Sequence, residues 1–256
     1  MNPIEFFDRG FRRNPGAACL INGDTGRILS YAEVRDFTLR AASVLRRRFS
    51  LGAKAAVLTY NDPVGFACVL ALLRAGLTWV QANPRNSAAE NAAVLKAFDC
   101  EMLFYSSAFS SVADEMKRIK SAVRDLVCID RPLEGAQFLD EWLAAGAPEE
   151  IEVPHDAERL YAIQPTGGTT GFPKGVMGPN RALENMVANL MAVAPCSAPP
   201  VFLAAAPLTH AAGVVMHYVL AQGGAAVVFP KIDRQALLAA IPRYGVTHTF
   251  LPPTVI

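Results

Sequence analysis

Between Thr166 and Gly175 the chain reads Thr-Gly-Gly-Thr-Thr-Gly-Phe-Pro-Lys-Gly, placing four glycines, three threonines and one lysine within ten residues. Glycine lets a backbone take positive φ and approach a ligand without side-chain collision. Successive N–H groups in such a turn form a concavity that accepts anions. The hydroxyls of Thr166, Thr169 and Thr170 add donors, and Lys174 adds a mobile positive charge. Together these groups suit the polyphosphate of a nucleotide. A plain surface turn needs no such density of special residues. The commoner nucleotide loop, G-x-x-x-x-G-K-[ST], is excluded because Lys174 sits between Pro173 and Gly175. No G-x-G-x-x-G dinucleotide fingerprint occurs here either.

His210 is the second residue with chemical potential. It lies within Asn185–Pro230, a stretch without Asp, Glu, Lys or Arg. By itself a histidine in such surroundings reads as a core residue. His217, seven positions on and near the same helical face, reads as packing. His155 and His248 suggest no ligand cluster, and no metal-binding spacing appears among the Cys, His and acidic residues. The charge-free stretch is cut by Pro195, Pro199, Pro200, Pro207 and Gly223-Gly224 into pieces shorter than the roughly 20 apolar residues of a membrane span. No transmembrane segment is expected.

Composition narrows the class. Lys plus Arg total 24 against 23 for Asp plus Glu, so nothing draws the protein to nucleic acid or an anionic membrane. Arg46-Arg47-Arg48 ends a predicted helix, where it complements the dipole. Five scattered cysteines without a Cys-x-x-Cys pair read as reduced thiols of a cytoplasmic protein. With Glu5, Asp8 and Arg9 among its first residues, the N-terminus is not expected to be a signal peptide.

The elements that must hold these residues alternate between strand-like and helix-like. Ser30-Tyr31-Ala32-Glu33 and Ser87-Ala88-Ala89-Glu90 are capping boxes that open helices reaching about Arg48 and Phe98. Pro63 suits a first helical turn, and Gly76 a helix stop. Short apolar runs at 55–60, 77–81, 102–105 and 126–129 read as buried strands. Beyond an acidic, proline-bearing boundary at 132–157, strands are expected at 160–164, 201–205, 225–229 and near 247–251. Helices are expected from about Asn180, at 211–222 and from Arg234 to about Ile241. This alternation predicts an α/β fold of parallel-rich sheets flanked by helices. Two subdomains are expected, 1–155 and 156–256, the second carrying the phosphate-binding loop.

The segment Pro165–Met177 resembles the signature loop of the AMP-forming adenylating superfamily, which includes acyl- and aryl-CoA synthetases, adenylation domains of peptide synthetases, and luciferases. Gly167 stands where many members have Ser. The resemblance extends to Leu29–Val34, to Ala71–Asn83, to Pro207-Leu208-Thr209-His210-Ala211-Ala212-Gly213 and to Val246–Pro252. It implies ATP-dependent activation of a carboxylic acid to an acyl-adenylate, then transfer to coenzyme A, with Mg2+ accompanying ATP. Thr166, Gly167, Gly168, Thr169, Thr170 and Gly171 would grip the phosphates, with Thr169 and Lys174 serving the reaction; His210 and Gly213 would border the acid. Fatty acid metabolism is the broad setting it suggests. Tyr244-Gly245-Val246-Thr247 imitates a later family motif, but His248 stands where that motif has Glu. That later motif, the ribose-holding segment and the small lid domain are absent from these 256 residues. The resemblance therefore implies a truncated N-terminal portion, inactive alone and prone to self-association through an open sheet edge. Two alternatives remain open: an adenylation domain that loads a carrier protein, and a non-catalytic nucleotide-binding module. Thr209-His210 leans toward the CoA ligase.

Overall fold

Both capping boxes form. Ser30 Oγ accepts the Glu33 N–H at 3.2 Å, while a Glu33 carboxylate oxygen accepts the Ser30 N–H at 2.7 Å. Ser87 and Glu90 repeat the arrangement at 3.2 and 2.7 Å. Each satisfies two backbone donors that a helix start otherwise leaves orphaned.

The computed structural model describes residues 1–166 and 173–251. Its strands are β1 Ala18–Asn22, β2 Ile28–Ser30, β3 Lys54–Leu58, β4 Thr78–Val80, β5 Met102–Tyr105, β6 Asp125–Cys128, β7 Gln137–Phe138, β8 Leu160–Pro165, β9 Gly175–Pro179, β10 Val201–Ala204, β11 Ala225–Val228 and β12 His248–Thr249. Its helices are α1 Glu5–Arg13, α2 Tyr31–Arg48, α3 Pro63–Arg74, α4 Ala88–Ala97, α5 Ser110–Arg118, α6 Leu139–Ala144, α7 Asn180–Val193, α8 Ala211–Ala221 and α9 Arg234–Tyr244.

Two sheets result, a seven-stranded one ordered β7-β6-β5-β3-β4-β8-β9 and a five-stranded one ordered β12-β10-β11-β1-β2. Every pairing is parallel except β8 with β9 and β1 with β2. The expected parallel-rich α/β architecture is therefore present. Both sheets draw strands from either side of position 155, since β8 and β9 complete the larger sheet while β1 and β2 complete the smaller.

Helices α3 and α8 explain how the sheets are held together. Every residue of α3 except Val64 is buried, and α8 is buried from Met216 to Ala221. A helix that is apolar all round must be covered all round. Here α3 contacts β3, β4 and β5 of one sheet and β1 of the other, while α8 packs on β10 and β11. Among the described residues no helix is long and apolar enough to cross a membrane. One charge lies in this layer. Arg74, 4% exposed, pairs with Asp8 at 2.6 Å and donates to Thr38 Oγ1 at 2.9 Å. The Arg46–Arg48 run is tied down by partners, with Arg46 donating to the Phe49 carbonyl, Arg47 to the Ala145 carbonyl, and Arg48 gripping the buried Asp125 carboxylate.

Some elements depart from expectation. Helix α9 continues to Tyr244 because Gly245, at φ 61°, caps it in the left-handed region and donates its N–H to the Ile241 carbonyl. The last strand shrinks to His248–Thr249 beside β10. The acidic segment at 132–157 contains β7 and α6, and Trp142 of α6 meets Phe104 edge-on at 5.2 Å. Helices α1 and α5 and the strands β1, β2 and β9 were not anticipated.

Candidate functional site

Strands β8 and β9 form an antiparallel hairpin that pairs Gln164 with Val176 and Pro165 with Gly175. Past that pair the Thr166 N–H donates to the Lys174 carbonyl at 2.8 Å, and Thr166 Oγ1 donates to the same oxygen at 3.2 Å. The pairing thus fixes Thr166 opposite Lys174, with the Lys174 residue exposed. Gly175 must be glycine here, since a Cβ would lie 2.6 Å from Ile163 Cγ2 and 2.9 Å from Phe98 Cζ. Five expected phosphate contacts, Gly167, Gly168, Thr169, Thr170 and Gly171, lie outside the described residues.

Two residues before Thr166, on the strand itself, Gln164 Nε2 approaches His210 Nδ1 at 2.7 Å. An amide nitrogen only donates, so Nδ1 accepts, and a neutral ring then carries its proton on Nε2. His210 is the N-terminal capping residue of α8 and is exposed, with its carbonyl accepting the Gly213 N–H at 2.8 Å. Gly213 is forced by backbone approach, because an added Cβ would sit 2.3 Å from the Leu208 carbonyl oxygen. Asn61 braces the same segment from β3's end, accepting the Leu208 N–H at 3.1 Å and donating to the Ala206 carbonyl at 2.9 Å.

Gln164, His210 and Gly213 border one cavity of about 700 Å3. Its walls are largely apolar, with Leu183 and Leu190 from α7, Val214 from α8 and Trp79 from β4 among them. Volume and lining fit a small organic molecule with few polar fixing groups. His217 lines this cavity too, although packing was its expected role. Its ring lies 6.4 Å from Phe6 and 6.0 Å from Phe66, and burial lowers its pKa to about 4, so the ring is neutral near pH 7. It both packs and faces the cavity.

Sequence reasoning missed Gln164, Gln81, Trp79 and the α7 wall. Gln164 carried a usable signal, being the one amide in the apolar strand run that leads into the glycine-rich segment. The α7 wall carried none, because nothing local says which helix will lie across the sheet edge.

A second cavity, of about 640 Å3, opens beyond the C-terminal ends of β3, β5 and β6. It presents Glu33, Asp62, Asp130 and Asp140 against Arg27, a balance that disfavours a polyphosphate. Among the described residues no group of three or more His, Cys, Asp or Glu is placed to hold a metal ion. The Tyr244–Thr247 segment has a local structural role, as a helix end, its glycine cap and the approach to β12.

A family model described as AMP-binding enzyme matches residues 7–256. The chain is 29% identical to 4-coumarate–CoA ligase 1 of Oryza sativa subsp. japonica over 265 residues, covering 96% of this chain and 46% of that protein. It is 31% identical to 4-coumarate–CoA ligase 3 of the same plant, covering 93% of this chain and 44% of that one. The chain thus spans about half the length of the curated relatives it matches. Among solved structures, a long-chain-fatty-acid–CoA ligase from Archaeoglobus fulgidus superposes with a TM-score of 0.90 at 20% identity, covering 100% of this chain and 52% of that one. An anthranilate–CoA ligase in complex with anthranoyl-AMP superposes at 0.88 with 18% identity, covering 100% and 50%. At these identities the structural likeness bears on the fold.

Proposed function

The chain belongs to the AMP-binding enzyme family, and from that premise we propose that it supplies the phosphate grip and the acid pocket of an AMP-forming acid–CoA ligase. In that reaction a carboxylate oxygen attacks the α-phosphorus of ATP, and the bond to the β-phosphate oxygen breaks, releasing pyrophosphate. The thiol of CoA then takes the acyl group and AMP leaves.

The observation that carries this reading is the Gln164–His210 hydrogen bond. It ties the hairpin bearing Thr166 and Lys174 to the mouth of the apolar cavity, so an acid lying in the cavity would present its carboxylate next to the nucleotide segment. His210, with its proton on Nε2, is a donor suited to orient one carboxylate oxygen. Lys174 supplies positive charge where pyrophosphate departs. Positioning and charge neutralisation are most of what a protein contributes to such a substitution. Magnesium would arrive with the ATP phosphates, which supply part of its octahedral shell while waters supply much of the rest. The relatives' names favour an aryl acid, and CoA as the acceptor.

Acid-dependent exchange of pyrophosphate into ATP, measured in the enzyme carrying this chain, tests the proposal. Lys174→Ala should lower exchange severely while leaving the thermal melt in place, because the residue is exposed. Exchange unaltered in that variant would remove Lys174 from the reaction.

A further inference from the structure

To act on an acid beside the nucleotide segment, His210 has to be placed against Thr166 and Lys174. The β8–β9 hairpin that carries those two belongs to the seven-stranded sheet. His210 instead ends the segment 205–210, which joins β10 of the five-stranded sheet to α8. Strand β10 pairs with β11 and β12 of its own sheet, so side chains must carry the registration between the two.

Asn61 is placed to do this. It lies three residues beyond Leu58, the last residue of β3 in the seven-stranded sheet. Its Oδ1 accepts the Leu208 N–H at 3.1 Å, and its Nδ2 donates to the Ala206 carbonyl at 2.9 Å. A backbone N–H can only donate, which fixes the way the side-chain amide points. One carboxamide thus brackets Pro207 with a bond on either side, as a residue of a parallel ladder brackets its partner. Pro207 has no N–H to leave unpaired, and its carbonyl accepts the His210 N–H at 3.2 Å. The flanking Ala206 and Leu208 are both buried, so this path to the histidine backbone is enclosed by packing.

The amide is itself anchored. Asp62, next in the chain, is the N-cap of α3 and accepts the Gly65 N–H at 2.9 Å, with Pro63 opening the helix. Gln164 on β8 meets the ring of the same histidine at 2.7 Å. The larger sheet therefore holds His210 twice, by its backbone through Asn61 and by its ring through Gln164. Asn61 stands outside the lining of the 700 Å3 cavity, so its effect on an acid there must pass through His210.

We propose that Asn61 is a positioning residue for acid activation, setting His210 against the nucleotide hairpin by clamping the backbone on either side of Pro207. The inference rests on the reading that His210 orients the acid carboxylate. Asn61→Leu removes both bonds at similar volume. Asn61→Asp keeps the acceptor for Leu208 but loses the donor to Ala206.

Pyrophosphate exchange by the enzyme carrying this chain, with 3-phenylpropenoic acid as the probe, tests the clamp. Asn61→Leu should raise the acid KM about tenfold, since a misplacement of about 1 Å can cost as much as a hundredfold. The KM for ATP should stay within about twofold, the hairpin being held by its own sheet. Asn61→Asp should raise the acid KM in the same direction, and it decides alone if Asn61→Leu does not fold. In a His210→Ala background the rise should vanish; an equal rise there overturns the route through His210. A brace with a structural role only would reduce the folded fraction, and so kcat, with both KM values unchanged, and that result overturns the proposal. No exchange by the parent enzyme with this acid, benzoic acid or hexadecanoic acid overturns the ligase reading and this inference with it. Exchange by the parent with an unaltered acid KM in both variants overturns the clamp alone.

Discussion

Replacing Gln164 with Leu probes the joint between the two halves of the proposed site. The substitution keeps the strand and the side-chain volume but removes the donor that meets His210 Nδ1 at 2.7 Å. A net hydrogen bond between neutral groups contributes about 0.5–1.5 kcal/mol. This pair is solvent-exposed, so water competes and the low end applies. About 0.5–1 kcal/mol corresponds to a two- to fivefold loss, at 1.4 kcal/mol per factor of ten. The loss should appear as a raised KM for the acid in pyrophosphate-release kinetics, because His210 no longer has a fixed tautomer and ring orientation. Global stability should change by less than about 0.5 kcal/mol, as for most exposed positions. The argument requires coupling. If Gln164 acts through His210, the loss from Gln164→Leu should vanish in a His210→Ala background, a non-additivity of the same 0.5–1 kcal/mol. Additive losses would refute the joint, and so would an unchanged acid KM in the single variant.

Three further outcomes follow from the packing. Asp8→Ala removes the partner of Arg74, which is 4% exposed, and breaking a buried pair on one side costs about 3–5 kcal/mol. At about 2–4 °C per kcal/mol, the melt should fall by on the order of 10 °C. His217 has a folded pKa of about 4 against an ordinary value of 6.5, so between these the unfolded chain binds the extra proton. Stability from this group is therefore present above pH 6.5 and lost as pH falls toward 4, by about 2 kcal/mol between pH 7 and 5. His217→Leu should flatten that acid limb in urea titrations, and an unchanged limb would show the ring is not held neutral. Gly213→Ala places a carbon 2.3 Å from the Leu208 carbonyl oxygen, which as backbone cannot yield like a flexible side-chain tip. Moving the Leu208–His210 segment should raise the acid KM and lower the melt together.

The parts of the fold that were legible in the sequence are those whose determinants are local. A serine and a glutamate three residues apart fix a helix start whatever surrounds them, and Ser30 and Ser87 both do so. Pro63 and Gly76 bracket α3 for equally local reasons, a preset φ at one end and a left-handed residue at φ 70° at the other. Helix α1 escaped because its N-cap is Ile4, which offers no side-chain acceptor, and tertiary cover by α8 stabilises it instead. Strand β1 escaped because it pairs with β11, about two hundred positions away, a contact no nearby residue announces.

The candidate site divides along the same line. Glycine density and a lysine singled out the proposed phosphate segment by composition, whereas the proposed acid pocket is a product of topology. Placing β8 next to β4 brings Gln164 and Gln81 onto one sheet, through the pairings of Trp79 with Ala162 and Val80 with Ile163. Packing α7 against α8 then closes the wall over them. No window of sequence containing His217 also contains Gln81, yet the fold brings both to the wall of one cavity.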